Sequence, residues 1–178
     1  GQGNGLRAWY YNNPDFSALQ FVRVDPTIGF DWQAAAPAAP MQPDTFSVRW
    51  SGEILVPYGE DYTFYLTSDD GVRLVVNSKN LVSAFHARTS DGVRLWLNGV
   101  LLIDRWQDQT PMEVSATAPL TAGQKVDLRM EYYDGAGDAV AELSWSSASQ
   151  LKEIIPASQL HRPPPVLGGP DEVRMAEG

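Results

Sequence analysis

The 178-residue sequence contains no cysteine, which excludes disulfide bonds, zinc–thiolate sites and cysteine-based catalysis. It also has no apolar run of about 18 residues, the minimum for a membrane-spanning helix, so we expect no membrane insertion. Basic residues are scarce: 13 lysines and arginines stand against 22 aspartates and glutamates, giving a net charge of -9. Because nucleic-acid binding requires a basic surface that neutralises phosphates, we expect no nucleic-acid partner.

Common catalytic motifs are missing as well. The sequence contains no Gly-x-Ser-x-Gly, no His-Glu-x-x-His and no glycine-rich phosphate loop. Two carboxylates on either side of a glycosidic bond would suffice for a glycosidase, but the adjacent Asp69 and Asp70 lie too close together to flank one. We therefore predict that the chain is not an enzyme.

Segments of alternating hydrophobicity fill most of the chain. Phe46, Val48 and Trp50 alternate with polar residues, as in a strand with one buried face. The alternating segments are 44–56, 61–68, 124–134 and 139–147, and turn sequences separate them. No stretch of ten or more residues sustains a helical period. This pattern predicts an all-β fold, an antiparallel two-sheet β-sandwich or a barrel.

A change of composition after Leu160 indicates the domain boundary. The closing residues, "HRPPPVLGGPDEVRMAEG", are rich in proline and glycine and are typical of a linker. The sequence thus predicts one β-domain at 1–160 and a Pro-rich linker or tail at 161–178.

One segment occurs twice at an offset of 21 residues. "TSDDGVRLVVN" at 67–77 is followed by "TSDGVRLWLNG" at 89–99, and each copy predicts a β-hairpin. Asn98-Gly99 is the favoured two-residue turn of the second hairpin. We interpret residues 71–90 as a duplicated hairpin insert, either an extra hairpin beside the sandwich or a replacement for a strand pair. Only the first copy contains adjacent aspartates.

Several separated motifs occur in an order that resembles the protective-antigen fourteen-kilodalton domain family. They are "GLRAWYYNNPDFS", "DPTIGFDW", "DTFSVRWSGEI", "GEDYTFYLTSDDGVRLWLNG" with the intervening unit removed, "LIDRW", "LTAGQKVDLRMEYYDGAGDAVAELSW" and "IIPASQL". The resemblance covers roughly residues 5–160. It implies a jelly-roll-like β-sandwich of the kind present in adhesins, toxins and glycosidases.

The resemblance also implies a calcium site. Sugar-binding members hold calcium with two consecutive aspartates joined by a cis peptide bond, and the ion coordinates neighbouring hydroxyls of a sugar. The pair would be Asp69 and Asp70. A second loop would complete the metal shell with Asp138 and Asp134, and Gly135 and Ala136 would contribute carbonyl groups. Such oxygen ligands suit calcium.

Three further residues are weaker candidates for this site. Asp91 qualifies only if the second copy occupies the family's loop position, where Ser90 replaces the other aspartate. Trp106 and Tyr133 are candidate sugar contacts. Trp50 and Trp145 occupy alternating strand positions, so we expect them in the core.

These observations predict a calcium-dependent carbohydrate-binding module of a secreted or cell-surface protein. The alternative is a non-catalytic structural or protein–protein interaction module in a larger extracellular assembly or a glycosidase. Carbohydrate is the expected ligand, and other domains of the parent protein are possible partners.

Overall fold

The computed structural model describes residues 3–68, 91–106 and 112–162. The first copy of the repeat, including Asp69, Asp70 and the predicted insert at 71–90, lies outside these ranges, as does most of the predicted tail. Within them the chain forms an all-β sandwich of two antiparallel sheets, as the sequence predicts. No helix in the described ranges is both long and apolar enough to cross a membrane.

The strands follow the alternating segments of the sequence. Their bounds are β1 Leu6–Tyr11, β2 Leu19–Asp25, β3 Gly29–Gln33, β4 Ser47–Leu55, β5 Asp61–Ser68, β6 Asp91–Leu97, β7 Val100–Trp106, β8 Met112–Pro119, β9 Lys125–Asp134, β10 Ala139–Ser146, β11 Glu153–Ile154 and β12 Leu160–His161. A 3-10 turn, Ala157–Gln159, precedes β12.

In the described ranges, the first sheet has the order β2-β1-β4-β9-β6-β7, and β12 also pairs with β4. The second sheet has the order β11-β10-β5-β8, with β3 also pairing with β10. The second copy of the repeat forms the β6–β7 hairpin at the edge of the first sheet. Its turn has positive φ at Asn98 (49°) and Gly99 (75°), as the Asn-Gly sequence predicts.

The core lies between the two sheets, and its largest side chains are aromatic. Trp50, Tyr62, Phe64 and Tyr132 are fully buried, and Trp145 is 1% exposed. The prediction that Trp50 and Trp145 belong to the core is confirmed. Each large apolar side chain buried in this way stabilises the fold by about 1.5–3 kcal/mol.

A carboxylate also lies in this interior. Asp25, at the end of β2, is 2% exposed. It accepts hydrogen bonds from the Tyr10 hydroxyl and Trp50 Nε1, both at 2.7 Å, and from Arg23 Nε at 2.6 Å. Because a buried charge is costly unless it is paired and hydrogen-bonded, these three donors make the carboxylate tolerable.

The two ends of the sandwich differ in what they carry. At one end, which we call the terminal end, residues 3–5 meet residues 158–162. Gly3, Asn4 and Gly5 donate backbone hydrogen bonds of 2.9–3.1 Å to carbonyl groups of Ser158 and Leu160. The β9–β10 connection, residues 134–139, lies at the other end, because Tyr133 pairs with the first residue of β4 and β12 pairs near its last. We call this the loop end.

Candidate functional site

The strand register brings several of the predicted site residues to the loop end. Asp134 ends β9 and pairs with Asp91, the first residue of β6. β5 ends at Ser68, directly before the predicted aspartate pair, and Ser68 pairs with Ala141 near the start of β10. Asp69 and Asp70 themselves lie outside the described residues, so the Asp-Asp metal site stays a prediction.

Within the loop, the candidate ligands differ sharply in exposure. Asp134 is completely buried, whereas Asp138 and Ala136 are exposed and Gly135 is half-buried. Gly137 has a φ of 111°, and its N–H donates to Asp44 Oδ1 at 3.3 Å, which fixes the loop against the chain before β4. A metal ligand at Asp134 would therefore face the interior of the sandwich, while one at Asp138 would face solvent.

The described residues do not by themselves make a metal centre. No group of three or more histidine, cysteine, aspartate or glutamate residues in the described ranges is arranged to hold an ion. Calcium takes six to eight oxygen ligands. A calcium site at the loop end would therefore need ligands from beyond the described ranges, and Asp69 and Asp70 are the residues that the sequence predicts for this.

The weaker candidates are placed at the same end by the backbone. Gly92 in β6 pairs with both Tyr133 in β9 and Trp106 in β7, so the three positions form one row across the first sheet. The Tyr133 side chain is half-buried. This row is the next register position after the Asp91–Asp134 pair, so it lies beside that pair.

The outer face of the first sheet carries a second feature, which sequence reasoning missed. A row of side chains runs across four strands in the order Arg7 (β1), Ser51 (β4), Arg129 (β9) and Trp96 (β6). Ser51 is the small member between two arginines. A shallow groove of about 340 Å³ lies here, lined by Ser51, Gly52, Trp96, Gly99, Asp127, Leu128 and Arg129. We call it the sheet groove.

An ion-pair network fixes the arginine at this groove. Glu131, only 2% exposed, accepts a hydrogen bond from Arg49 Nε at 2.8 Å and two from Arg129. The Arg129 guanidinium lies 4.7 Å from the centre of the Trp96 ring. The sequence signal for this groove was the alternation of charged and aromatic residues in β9 and β6. Only the strand register, however, shows that Arg129 and Trp96 are neighbours.

Comparison with known proteins identifies the family. The model of the PA14 domain matches residues 2–84 and 82–159, so the chain belongs to the PA14 domain family. The resemblance inferred from the sequence is thus confirmed. The two matched stretches meet at residues 82–84, within the predicted duplicated hairpin.

The chain is also similar to anti-sigma factors. Anti-sigma-I factor RsgI3 of Acetivibrio thermocellus is 48% identical over 161 residues, which are 90% of this chain and 22% of that protein. A solved anti-sigma factor domain-containing protein shares 46% identity with a TM-score of 0.78, over 95% of this chain and 51% of that one. A second, from Clostridium clariflavum, shares 34% with a TM-score of 0.75, over 94% and 50%. The chain thus spans about a fifth of the curated relative and about half of each solved one.

Adhesin domains share the fold at lower identity. The PA14 sugar-binding domain from an RTX adhesin has a TM-score of 0.65 at 14% identity, over 91% of this chain and 99% of that one. At this identity the likeness shows the fold alone.

These comparisons correct the predicted function. The prediction of a calcium-dependent carbohydrate-binding module of a secreted or cell-surface protein is wrong, because the chain is similar to anti-sigma factors at 34–48% identity. The alternative, a non-catalytic structural or protein–protein interaction module in a larger extracellular assembly or a glycosidase, is corrected by the same finding. The prediction that the chain is not an enzyme is confirmed by these relatives, which are anti-sigma factor and PA14 domains.

Proposed function

We propose that this chain is the sensor domain of a signalling protein of the anti-sigma-I type, and that it recognises extracellular polysaccharide. The observation that carries this proposal is the 48% identity with anti-sigma-I factor RsgI3 across 90% of the chain. Membership of the PA14 family, which includes a sugar-binding domain, supports carbohydrate as the ligand. The chain spans only 22% of that relative, and we propose that the sigma-binding step of such a protein lies in its other parts.

We expect polysaccharide to bind at the loop end of the sandwich. Residues 3–5 and 158–160 are hydrogen-bonded to each other at the terminal end. The loop end lies at the opposite end of β4 and β9, where Ala136 and Asp138 are exposed.

Affinity electrophoresis tests polysaccharide recognition directly. The chain is run in native gels that contain hydroxyethylcellulose, xylan or polygalacturonate, beside a gel without polysaccharide and a non-binding reference protein. We expect at least one polysaccharide to retard the chain relative to the reference. Unchanged mobility in all three gels would contradict the proposed ligand class.

A chimaera tests the signalling part of the proposal. The matching segment of RsgI3 is replaced by this chain in Acetivibrio thermocellus, with a reporter under control of the cognate sigma factor. We expect reporter output to change when the retarding polysaccharide is added. A chimaera that is expressed and folded but responds to no polysaccharide would contradict a sensor role.

Calcium at the loop end is a separate proposal. Asp138 is exposed there, and the predicted pair Asp69 and Asp70 would supply further carboxylates. Thermal melting with calcium or with a chelator tests it, because an ion that binds only the folded state raises the melting temperature. We expect the calcium shift to disappear in Asp70→Ala and to persist in Asp61→Ala, an exposed aspartate at the start of β5. No shift in the parent chain would overturn the proposal.

A further inference from the structure

The sheet groove lies far from the loop end. Along β9, Asp127 in the groove and Asp134 at the loop end are seven residues apart, or about 23 Å at roughly 3.3 Å per residue. We propose that the sheet groove is a second carbohydrate subsite, which contacts an inner part of a polysaccharide chain. The inference rests on the proposed function and adds to it a site that the Asp-Asp hypothesis does not contain.

The shape of the groove follows from the order of side chains across the sheet. Ser51 is short and lies between Arg7 and Arg129 on the neighbouring strands. Of the two arginines, Arg129 lines the groove and rises beside Ser51. Trp96 and the Asn98-Gly99 turn close the far side, where Gly99 has no side chain and open space around it.

Two charged groups in the groove can bind sugar hydroxyls in complementary ways, one as a hydrogen-bond donor and the other as an acceptor. Arg129 uses Nε and one terminal nitrogen on Glu131, so three of its five N–H groups remain for other acceptors. Asp127 is exposed, and its carboxylate has no hydrogen-bond partner among the described residues. Because a hydroxyl both donates and accepts, neighbouring hydroxyls of a sugar could bridge this donor and this acceptor.

The Arg129 guanidinium and the backbone of Asp127 are held in place. Arg129 is fixed by Glu131 and by its stacking on Trp96. Asp127 lies beside the hairpin turn, where its N–H donates to Asn98 Oδ1 and its carbonyl oxygen accepts from the Asn98 N–H, both at 2.8 Å. Because the Arg129 guanidinium is already ordered, it loses little conformational entropy when a ligand arrives.

The groove suits a sugar better than a protein partner. Its volume of about 340 Å³ lies at the lower end of the range for small-ligand sites, roughly 300–1,000 Å³. A stable protein interface buries about 800 Å² per partner and is depleted of aspartate. Here the acidic Asp127 lies in the groove itself.

Affinity electrophoresis of variants tests the subsite with the polysaccharide that retards the parent chain most. Asp127→Asn keeps the size of the side chain and removes the charge, and Trp96→Ala removes the indole. We expect Asp127→Asn to weaken binding by about tenfold, the effect of losing a hydrogen bond to a charged group. We expect a loss of about the same size for Trp96→Ala, because it removes the aromatic surface beside the sugar. The control is Tyr65→Ala on the outer face of the second sheet. There Lys152 Nζ lies 4.4 Å from the centre of the Tyr65 ring, in a comparable aromatic–cation pair. It should bind like the parent.

The outcomes separate the two proposals. If no polysaccharide retards the parent chain, the proposed function fails. If the parent is retarded and both groove variants bind like Tyr65→Ala, the subsite is overturned while polysaccharide recognition stands. Melting curves show whether Trp96→Ala folds. If Trp96→Ala does not fold, Asp127→Asn, an isosteric change at an exposed residue, still decides the test. A third outcome is that both variants still bind polysaccharide but no longer bind another part of the full-length protein. That result would assign the groove to a protein partner and overturn the subsite.

Discussion

The indole Nε1 of Trp50 donates a 2.7 Å hydrogen bond to the buried carboxylate of Asp25. Trp50 lies in the centre of the first sheet and Asp25 ends β2 near its edge, so the bond connects an edge strand to the core. The Tyr10 hydroxyl and Arg23 donate to the same carboxylate. This group of four side chains gives the sandwich a polar centre whose removal should be costly.

We predict that Asp25→Ala lowers the free energy of unfolding by about 3–5 kcal/mol, the usual cost of removing one partner from a buried ion pair. Two buried donors and Arg23 would lose their acceptor. Urea unfolding followed by tryptophan fluorescence measures the change. Asp61→Ala, at an exposed aspartate, should change stability by less than about 0.5 kcal/mol. Equal losses in the two variants would contradict the role of the network.

The sequence predicts those features of the fold that depend on neighbouring residues, such as hydrophobic alternation and turn residues. Val48 and Trp50 on one side of β4 and Phe46 just before it are fully buried, as their alternation indicates. Asn98-Gly99 forms its turn because both residues tolerate positive φ. These features follow from neighbouring residues and need no knowledge of strand order.

The sheet groove could not be predicted in the same way. Arg129 and Ser51 are far apart in sequence and become neighbours only through the β4–β9 register. A shift of that register by one residue would turn these side chains to the other face of the sheet.

The role of Asp25 was missed for a similar reason, since its three hydrogen-bond donors come from three different strands, β1, β2 and β4. For the loop end, motif resemblance carried the prediction, and the complete burial of Asp134 was not foreseen.

A pH-dependent change in stability should arise from Tyr10. Burial, together with the neighbouring Asp25, raises the pKa of the Tyr10 hydroxyl above its ordinary value of 10.0. Above about pH 10, the unfolded chain loses this proton while the folded chain keeps it, so the stability falls as pH rises. Tyr10→Phe should make the plot of unfolding free energy against pH flatter between about pH 9 and 11. The exposed Tyr58→Phe should keep the parent slope, and an equal flattening in both would contradict this origin.

Two ion pairs between β4 and β9 should differ in strength. Glu131 is 2% exposed and binds Arg49 and Arg129, whereas Glu53 binds Lys125 at 2.8 Å with both side chains in contact with solvent. We predict that Glu131→Ala lowers stability by about 3 kcal/mol, because it leaves two arginines without their buried partner. Glu53→Ala should cost about 1 kcal/mol or less.

Thermal melting of the two variants in low and high salt checks this difference. The small effect of Glu53→Ala should fade in high salt, since exposed pairs are screened, while the effect of Glu131→Ala should persist. Similar losses with similar salt dependence would contradict the assignment of Glu131 as the stronger partner.

The terminal end depends on a glycine in β4. A Cβ atom at Gly52 would lie 2.3 Å from the carbonyl oxygen of His161 and 2.5 Å from Leu6 Cδ2. Gly52→Ala should therefore push β12 away from β4 and lower stability by about 1–3 kcal/mol, as overpacking does in other cores. Ser51→Ala, the next residue on the opposite face, should be nearly neutral.

Limited proteolysis distinguishes local detachment from general instability. Because β12 pairs with β4 through only Leu160 and His161, the strand should separate before the rest of the sandwich unfolds. We expect Gly52→Ala to be cut near Arg162 faster than the parent at a temperature where both retain their tryptophan fluorescence. Cleavage at the parent rate, with Ser51→Ala unchanged as well, would show that β12 tolerates the extra methyl group and that Gly52 is not required for its docking.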